Sequence, residues 1–134
     1  MSRENVEVVA ANLREFKTTQ RPAMRFLAPD FVWDLRTFRG WPDDEEYRGP
    51  DGFMEFFAKW TEPYEEWDLD VEDLVDASDD CVVAVMRQRG RLRSADSWVE
   101  LRYGLVCTLA EGLIQRMQVF MTPDEALEAV GLSE

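Results

Sequence analysis

The sequence predicts an α+β fold with a mostly antiparallel sheet. The chain starts with a helical pattern of apolar residues, continues with segments in which apolar and polar residues alternate, and ends in a capped helix. The clearest alternation is the hairpin WVELRYGLVCTL-AEG-LIQRMQVFM between Trp98 and Met121, whose two strands are joined by about three residues. A long hairpin after a helical start favours a curved sheet folded around a cavity. The predicted order of elements is α-α-β-α-β-β-β-β-α.

The N-terminal segment is predicted as two helices. Ser2 to about Thr18 carries apolar residues at three- and four-residue steps, which gives one apolar stripe: Val6, Val9, Ala10, Leu13 and Phe16. A second, short helix is predicted to begin near Pro22, because proline suits the first helical position. Its apolar residues are Met24, Phe26 and Leu27, and Ala28-Pro29-Asp30 is expected to end it.

The next segment is predicted as a strand, a loop and a third helix. Phe31 to Arg36 is rich in aromatic and β-branched residues, as strands are. Thr37 to Arg48 is polar and is interpreted as a loop. Gly49-Pro50 opens the third helix, which ends before Pro63 and has an apolar side formed by Phe53, Met54, Phe56, Phe57 and Trp60.

Four strands and a final helix are predicted for the second half. The first strand shows a period of two, with Trp67, Leu69 and Val71 between acidic residues. Asp79-Asp80 forms a turn, the apolar run from Cys81 to Met86 forms the second strand, and Arg91 to Ser97 forms another turn before the hairpin. The last helix has Thr122 as its cap, Pro123 in its first turn, Glu125 in the spacing of a capping box, and Gly131 at its end.

Composition excludes several classes of function. The length of 134 residues predicts one domain, 1–134, and the net charge of −13 disfavours nucleic acid and anionic lipid as partners. The first residues lack the apolar core that a signal peptide needs, and no apolar run could span a bilayer, so we expect a cytoplasmic protein. Cys81 and Cys107 are expected as buried thiols rather than a disulfide.

Cofactor chemistry is also disfavoured by the motifs. The chain has no histidine and no paired cysteines, so no zinc site is expected, and the acidic run Asp43 to Glu46 lacks the spacing of a calcium loop. Phosphate-binding glycine loops, nucleophile elbows and dinucleotide fingerprints are absent from the sequence. We therefore expect neither a metal nor a cofactor.

Three stretches, in this order and spacing, resemble one known family. They are VWD at Val32–Asp34, YRGPDGFMEFFAKW at Tyr47–Trp60, and GLVCTLAEGLIQRMQVFMTPDEALEAVGL at Gly104–Leu132. They resemble the SnoaL-like branch of the nuclear transport factor 2-like superfamily, which includes ketosteroid isomerases and polyketide cyclases. The resemblance implies a cone-shaped, cystatin-like α+β barrel, in which a curved mixed sheet wraps around N-terminal helices and leaves an internal apolar pocket. It also implies a homodimer that packs through the outer face of the sheet.

Asp34 lies where the resemblance implies a general base, since isomerases of the family carry a carboxylate on the first strand. If Asp34 faces the pocket, burial would raise its pKa toward neutrality. The alternative is a structural ion pair between Asp34 and an arginine. Strand alternation puts Trp33 and Asp34 on opposite faces, and the pattern leaves open which of the two faces the pocket.

A base also needs a donor that holds the oxyanion, and Tyr103 is the leading candidate. The others are Arg36, Arg48, Trp33 and Trp60. The family's polar donor position before the final hairpin turn holds Leu105 here, and the first helix offers Leu13 and Phe16 where the isomerases use a tyrosine. The predicted catalytic residues are therefore Asp34 and Tyr103.

The resemblance implies that alternate residues of the hairpin, together with residues of the helices, form the pocket wall. The wall residues are Phe16, Phe53, Phe57, Trp60, Leu101, Leu105, Cys107, Met117, Val119 and Met121. Methionine side chains adapt to varied ligand shapes. The alternative is an ordinary filled core.

Two functions remain open at this point. One is a pocket protein that acts as a cofactor-free isomerase, cyclase or dehydratase on an apolar molecule with a carbonyl group. The other is a non-catalytic ligand-binding or dimerisation module. The arginines Arg87, Arg89, Arg91, Arg93 and Arg102 are interpreted as an exposed face that pairs with acids, rather than as an anion site.

Overall fold

The computed structural model describes residues 2–132, in which three α-helices and six strands are present. The helices are α1 (Ser2–Thr19), α2 (Gly49–Thr61) and α3 (Pro123–Ala129). The strands are β1 (Leu27–Asp34), β2 (Glu46–Arg48), β3 (Tyr64–Ser78), β4 (Cys81–Leu92), β5 (Trp98–Ala110) and β6 (Leu113–Phe120).

All six strands form one open, mixed sheet in the order β2-β1-β6-β5-β4-β3. β1 runs parallel to β6, and every other neighbouring pair is antiparallel. The two predicted hairpins, β3–β4 and β5–β6, supply the centre and one edge. The predicted α+β class with a curved, mostly antiparallel sheet in a cone-shaped arrangement is confirmed.

The inner face of the sheet packs against α1 and α2. Alternate residues point inward on each strand, so Val82, Ala84 and Met86 of β4 are fully buried beneath the helices. α1 lies over β3 and β4, while α2 lies over β1 and β2. The main apolar core is therefore enclosed between this face and the two helices.

The outer face of the sheet carries α3. Val83, Val106 and Phe120 point outward and form a second, smaller core with Ala126 of this helix. Gly104 makes the close approach feasible, because a Cβ atom at this position would lie 2.5 Å from the Cβ of Ala126.

Of the capping box predicted for α3, the part played by Thr122 is confirmed and the part played by Glu125 is not. The Thr122 hydroxyl accepts a hydrogen bond from the backbone N–H of Glu125 at 3.1 Å, as expected. The Glu125 carboxylate instead binds the guanidinium group of Arg39 at 2.8 Å. The end helix is thus joined to the loop after β1 by an ion pair.

The predicted second helix is wrong. Only the 3₁₀ turn Met24–Phe26 forms, and β1 already begins at Leu27. The pairing of β1 with β6 skips from Leu27 to Val32, so Pro29 falls where the ladder needs no N–H donor. A proline that was expected to end a helix therefore lies inside a strand.

The predicted loop Thr37 to Arg48 also contains a short strand that was missed. β2 pairs antiparallel with β1, and Trp33 lies opposite Tyr47. At three residues it is too short to show alternation in the sequence.

Two other expectations concern the cysteines and the membrane. Cys81 and Cys107 are free thiols, half-buried and buried respectively, as predicted. Within residues 2–132, none of the helices is long and apolar enough to cross a membrane.

Candidate ligand pocket

A cavity of about 50 Å³ lies between the inner face of the sheet and the two longer helices. This volume holds roughly three to five water molecules at about 10–15 Å³ each. Its wall is built from α1, α2, Pro22 between α1 and the 3₁₀ turn, and the inner faces of the strands. The wall residues are Asn12, Leu13, Phe16, Pro22, Leu27, Phe31, Trp33, Phe53, Phe56, Phe57, Trp60, Trp67, Leu69, Met86, Tyr103, Leu105, Met117 and Val119.

Aromatic rings account for the small size of the cavity. α2 brings Phe53, Phe56 and Phe57 onto one side at helical spacing. The Phe53 ring packs edge-on against Phe16 at 5.4 Å and against Trp33 at 4.9 Å between ring centroids. Such contacts fill most of the space beneath the helix and stabilise the pairs beyond simple burial.

No charged side chain is among the wall residues of the cavity. The indole N–H groups of Trp60 and Trp67 both donate to the buried Oε1 of Gln88, at 2.6 and 3.1 Å. The indole nitrogen of Trp33 is buried and has no hydrogen-bond partner among the described residues. The wall is therefore apolar and neutral, with few polar groups free to bind a ligand.

Tyr103 provides the cavity with a hydroxyl group. The residue is 5% exposed, lies on β5 opposite Met86, and lines the cavity. Burial raises the pKa of this hydroxyl well above its usual range. Within residues 2–132 this hydroxyl makes no hydrogen bond to another residue, so it is a neutral group available for one.

Asp34 lies outside the cavity. Strand alternation turns Trp33 inward and Asp34 toward the outer face, where the carboxylate is fully buried. It accepts hydrogen bonds from Nη2 of Arg36 at 2.7 Å, the backbone N–H of Arg36 at 2.9 Å, and Nη1 of Arg116 at 2.6 Å.

These contacts determine the ionisation of Asp34. Burial by itself raises the pKa of the carboxyl group, but the hydrogen bonds and charge of Arg36, with the hydrogen bond from Arg116, lower it below the ordinary 3.8. Glu46 of β2 contributes a second carboxylate, 3.5 Å from Nη1 of Arg116. Asp34 is thus an ionised partner of two arginines, which is the alternative that the sequence left open.

Several other predicted wall residues do line the cavity. They are Phe16, Phe53, Phe57, Trp60, Leu105, Met117 and Val119. Leu101 and Cys107 share the inner face of β5 with Tyr103 but lie along the strand outside the cavity wall. Met121 also lies outside it, because β6 ends at Phe120.

Sequence reasoning missed more than half of the wall. Phe56 follows Phe53 by three residues on an apolar helix side, and that spacing could have identified it. Met86 lies in an apolar run where both faces of β4 are buried, so alternation carries no signal there. Asn12, Leu13, Pro22, Leu27, Phe31 and Trp67 approach the cavity only through the tertiary packing.

A second concavity, here called the groove, lies between α1 and the edge strand β3. Its volume is about 260 Å³. The groove is walled by five apolar residues, Ala10, Leu13, Leu69, Val71 and Leu74, and by two cationic residues, Arg14 and Lys17. Leu13 and Leu69 belong to the walls of both the groove and the cavity.

The arginines on the outer face are paired with acids. Arg87 lies 3.5 Å from Asp70 and from Glu100, and Arg102 binds Glu72 at 2.8 Å. No group of three potential metal ligands occurs within the described range 2–132.

Comparison with known proteins relates the chain to a family and a fold. A family model described as a SnoaL-like domain matches residues 13–117. The structure is similar to that of TerC co-crystallised with polyporic acid, with a TM-score of 0.74, 18% identity, and coverage of 95% of this chain and 98% of TerC. No curated protein matches the chain.

Two further solved structures show the same fold. An NTF2-like protein from Burkholderia thailandensis E264 has a TM-score of 0.72 and 23% identity, with 94% of this chain and 95% of that chain covered. A candidate SnoaL-like polyketide cyclase from Jannaschia sp. CCS1 has a TM-score of 0.67 and 21% identity, with 87% and 84% covered.

Proposed function

The chain belongs to the SnoaL-like domain family, and from this premise we propose that it binds a small apolar molecule in the cavity without converting it chemically. The Tyr103 hydroxyl then donates a hydrogen bond to an oxygen atom of the ligand. The proposal follows the non-catalytic alternative, because proton abstraction requires a base and the wall residues include no carboxylate or amine.

One observation carries the proposal: the cavity wall is apolar and uncharged, and it contains the unpartnered hydroxyl of Tyr103. Ligand pockets combine predominantly apolar walls with a few polar groups that orient the ligand. A hydroxyl that has no protein partner in an otherwise apolar wall is free to donate a hydrogen bond to a ligand oxygen. TerC, which has the same fold, was co-crystallised with polyporic acid, and this supports the proposal that the present chain also binds a small molecule.

The cavity must enlarge to admit a ligand the size of one aromatic ring, because its volume is only about 50 Å³. Met86 and Met117 belong to its wall, and unbranched thioether side chains adapt their shape more readily than aromatic ones. We expect these two side chains to move when a ligand binds.

The proposal extends to assembly and location. We infer a cytoplasmic homodimer that packs through the outer face of the sheet, as the family resemblance implies. In support, Trp98 is 52% exposed at one end of this face, and tryptophan is enriched in protein interfaces.

The test uses two ligands of similar size, toluene and acetophenone, in NMR titrations of the full chain. Both should shift resonances of Met86, Met117 and Val119. The Tyr103→Phe variant should bind acetophenone about threefold to tenfold more weakly, because one neutral hydrogen bond is lost. Its affinity for toluene, which has no oxygen, should be unchanged.

The titration separates the outcomes. If neither compound shifts the cavity resonances, the proposed function is wrong. If Tyr103→Phe weakens both ligands equally, the hydroxyl has no donor role and only apolar binding remains. If product accumulates from a carbonyl ligand, the protein is an enzyme and the non-catalytic assignment fails.

A further inference from the structure

The groove and the cavity share two wall residues. Leu13 of α1 and Leu69 of β3 contribute to both, and each is 5% exposed. A displacement of these two side chains would join a space of about 50 Å³ to one of about 260 Å³. The combined space accommodates an organic molecule that the cavity alone cannot hold.

The two compartments differ in charge. The cavity wall has no charged residue, whereas the groove has Arg14 and Lys17 and no acidic residue in its wall. This is unusual for a chain with 28 acidic and 15 basic residues. Lys17 is already bound to Asp70 and lies 3.8 Å from Asp68. Arg14 has no ion-pair partner within residues 2–132, so its charge is available.

We propose that the ligand is an apolar carboxylate, whose apolar end occupies the cavity and whose carboxylate lies in the groove beside Arg14. The proposal rests on the proposed function and adds the charge and shape of the ligand. A guanidinium group binds a carboxylate through two parallel hydrogen bonds, which makes arginine the better partner of the two cations.

The free energies of removing each end of the ligand from water support the same placement of the ligand. A carboxylate inside the uncharged cavity would lose its hydration without a compensating partner, which is costly. The apolar end, in contrast, gains by leaving water for a wall of aromatic and aliphatic side chains. The net charge of −13 opposes an anion only weakly, because salt at 0.15 M screens exposed charges beyond about 8 Å.

The test compares 4-phenylbutyrate with its neutral amide, 4-phenylbutanamide, by calorimetric titration of the full chain. The two differ only in charge and in the polar end group. Wild-type protein should bind the carboxylate at least threefold more tightly than the amide. Arg14→Gln should weaken carboxylate binding about threefold to fivefold, as expected for a partly exposed ion pair, and should leave amide binding unchanged.

Two matched controls accompany Arg14→Gln. Arg21→Gln removes an exposed arginine that also lacks an ion pair within the described part of the chain and lies outside the groove wall, so carboxylate binding should be unaffected. Val71→Glu places a negative charge in the groove and should weaken carboxylate binding about threefold to tenfold. Val99→Glu introduces the same charge at a site of equal exposure, 39%, outside the groove, and should have no such effect.

Three results would overturn the inference. Equal affinity of wild-type protein for the carboxylate and the amide would show that no cation recognises the ligand, while binding in the cavity would still stand. Equal effects of Val71→Glu and Val99→Glu would show that only net charge matters. Binding of toluene without binding of either phenyl compound would show that the two compartments do not join, whereas failure of all three ligands would reject the proposed function itself.

Discussion

The surroundings of Asp34 depend on the face of β1 to which its side chain points. On the inner face it would be a candidate base, whereas on the outer face it is a partner in an ion pair. Its side chain is fully buried, yet its neighbours are the guanidinium groups of Arg36 and Arg116 rather than the cavity. Hydrogen bonds to a charged group stabilise more than neutral ones, and a buried charge left without partners is costly. The residue therefore belongs to an ion-pair cluster outside the cavity wall.

The first prediction is that Asp34→Asn lowers the free energy of unfolding at pH 7 by about 2 kcal/mol, because an amide cannot neutralise two arginines. Affinity for toluene should stay within twofold of wild type. Urea denaturation and NMR titration measure the two quantities. Asp30→Asn is the control: Asp30 lies on the same strand but is exposed, so its replacement should change stability by less than about 0.5 kcal/mol.

The pH dependence follows from the direction of the pKa shift. Because the pKa of Asp34 is lower in the folded chain than its ordinary 3.8, its contribution to stability is complete above that value and is lost as pH falls through the folded pKa. The difference in stability between wild type and Asp34→Asn should therefore shrink below about pH 4. A difference that stays constant down to pH 2 would contradict the role of the carboxylate.

At the scale of elements, α3 depends on a glycine in another element. Its Ala126 rests directly on Gly104 of β5, and Pro123 lies 3.3 Å from where a Cβ of residue 104 would be. The apolar residues of the outer core become exposed if the helix leaves the sheet. The docking of α3 is therefore sensitive to one methyl group.

The second prediction is that Gly104→Ala destabilises the protein by about 1–3 kcal/mol through overpacking against Ala126. Ala126→Gly on the same chain removes the opposing methyl group, so the double variant should recover part of the loss. Hydrogen exchange of the α3 amides and urea denaturation measure both effects. Purely additive losses in the double variant would refute a direct contact between the two positions.

Elements marked by a pattern among neighbouring residues could be predicted from the sequence. Elements that exist because they pair with a distant strand could not. The cap at Thr122 and the period of two in β3 depend on neighbouring residues, so the sequence reveals them. β1 begins early only because its pairing with β6 skips Pro29, and β2 exists only because β1 pairs with it. Neither pairing leaves a local pattern.

The same distinction applies to the candidate site. Tyr103, Leu105, Met117 and Val119 were found because β5 and β6 alternate regularly over a long hairpin. The sequence could not decide whether Trp33 or Asp34 faces the cavity. Both positions are buried, and a strand segment without an exposed face shows no alternation of apolar and polar residues. The groove was missed because its wall combines α1 with β3, which is distant along the chain.

At the scale of the whole molecule, the outer face carries paired charges although the chain is strongly acidic. Its acids pair with Arg87 and Arg102, and the guanidinium group of Arg89 lies 5.4 Å from the ring of Trp98. Two copies can therefore approach through this face with less repulsion than the net charge of −13 suggests. A two-fold axis would bring the same residues of both copies together.

The last prediction concerns this assembly. We expect wild-type protein at 100 µM to have about twice the mass of one chain by light scattering, and Trp98→Glu to weaken the dimer at least tenfold, because it removes an aromatic anchor and adds a repelling charge. Met24→Glu is the matched control: Met24 is 60% exposed but lies in the 3₁₀ turn before β1, away from the face in question. A monomeric wild type, or equal dissociation in both variants, would reject the outer face as the interface. If dimerisation is lost while 4-phenylbutyrate binding persists, the pocket works within one copy, in agreement with a cavity wall built by a single chain.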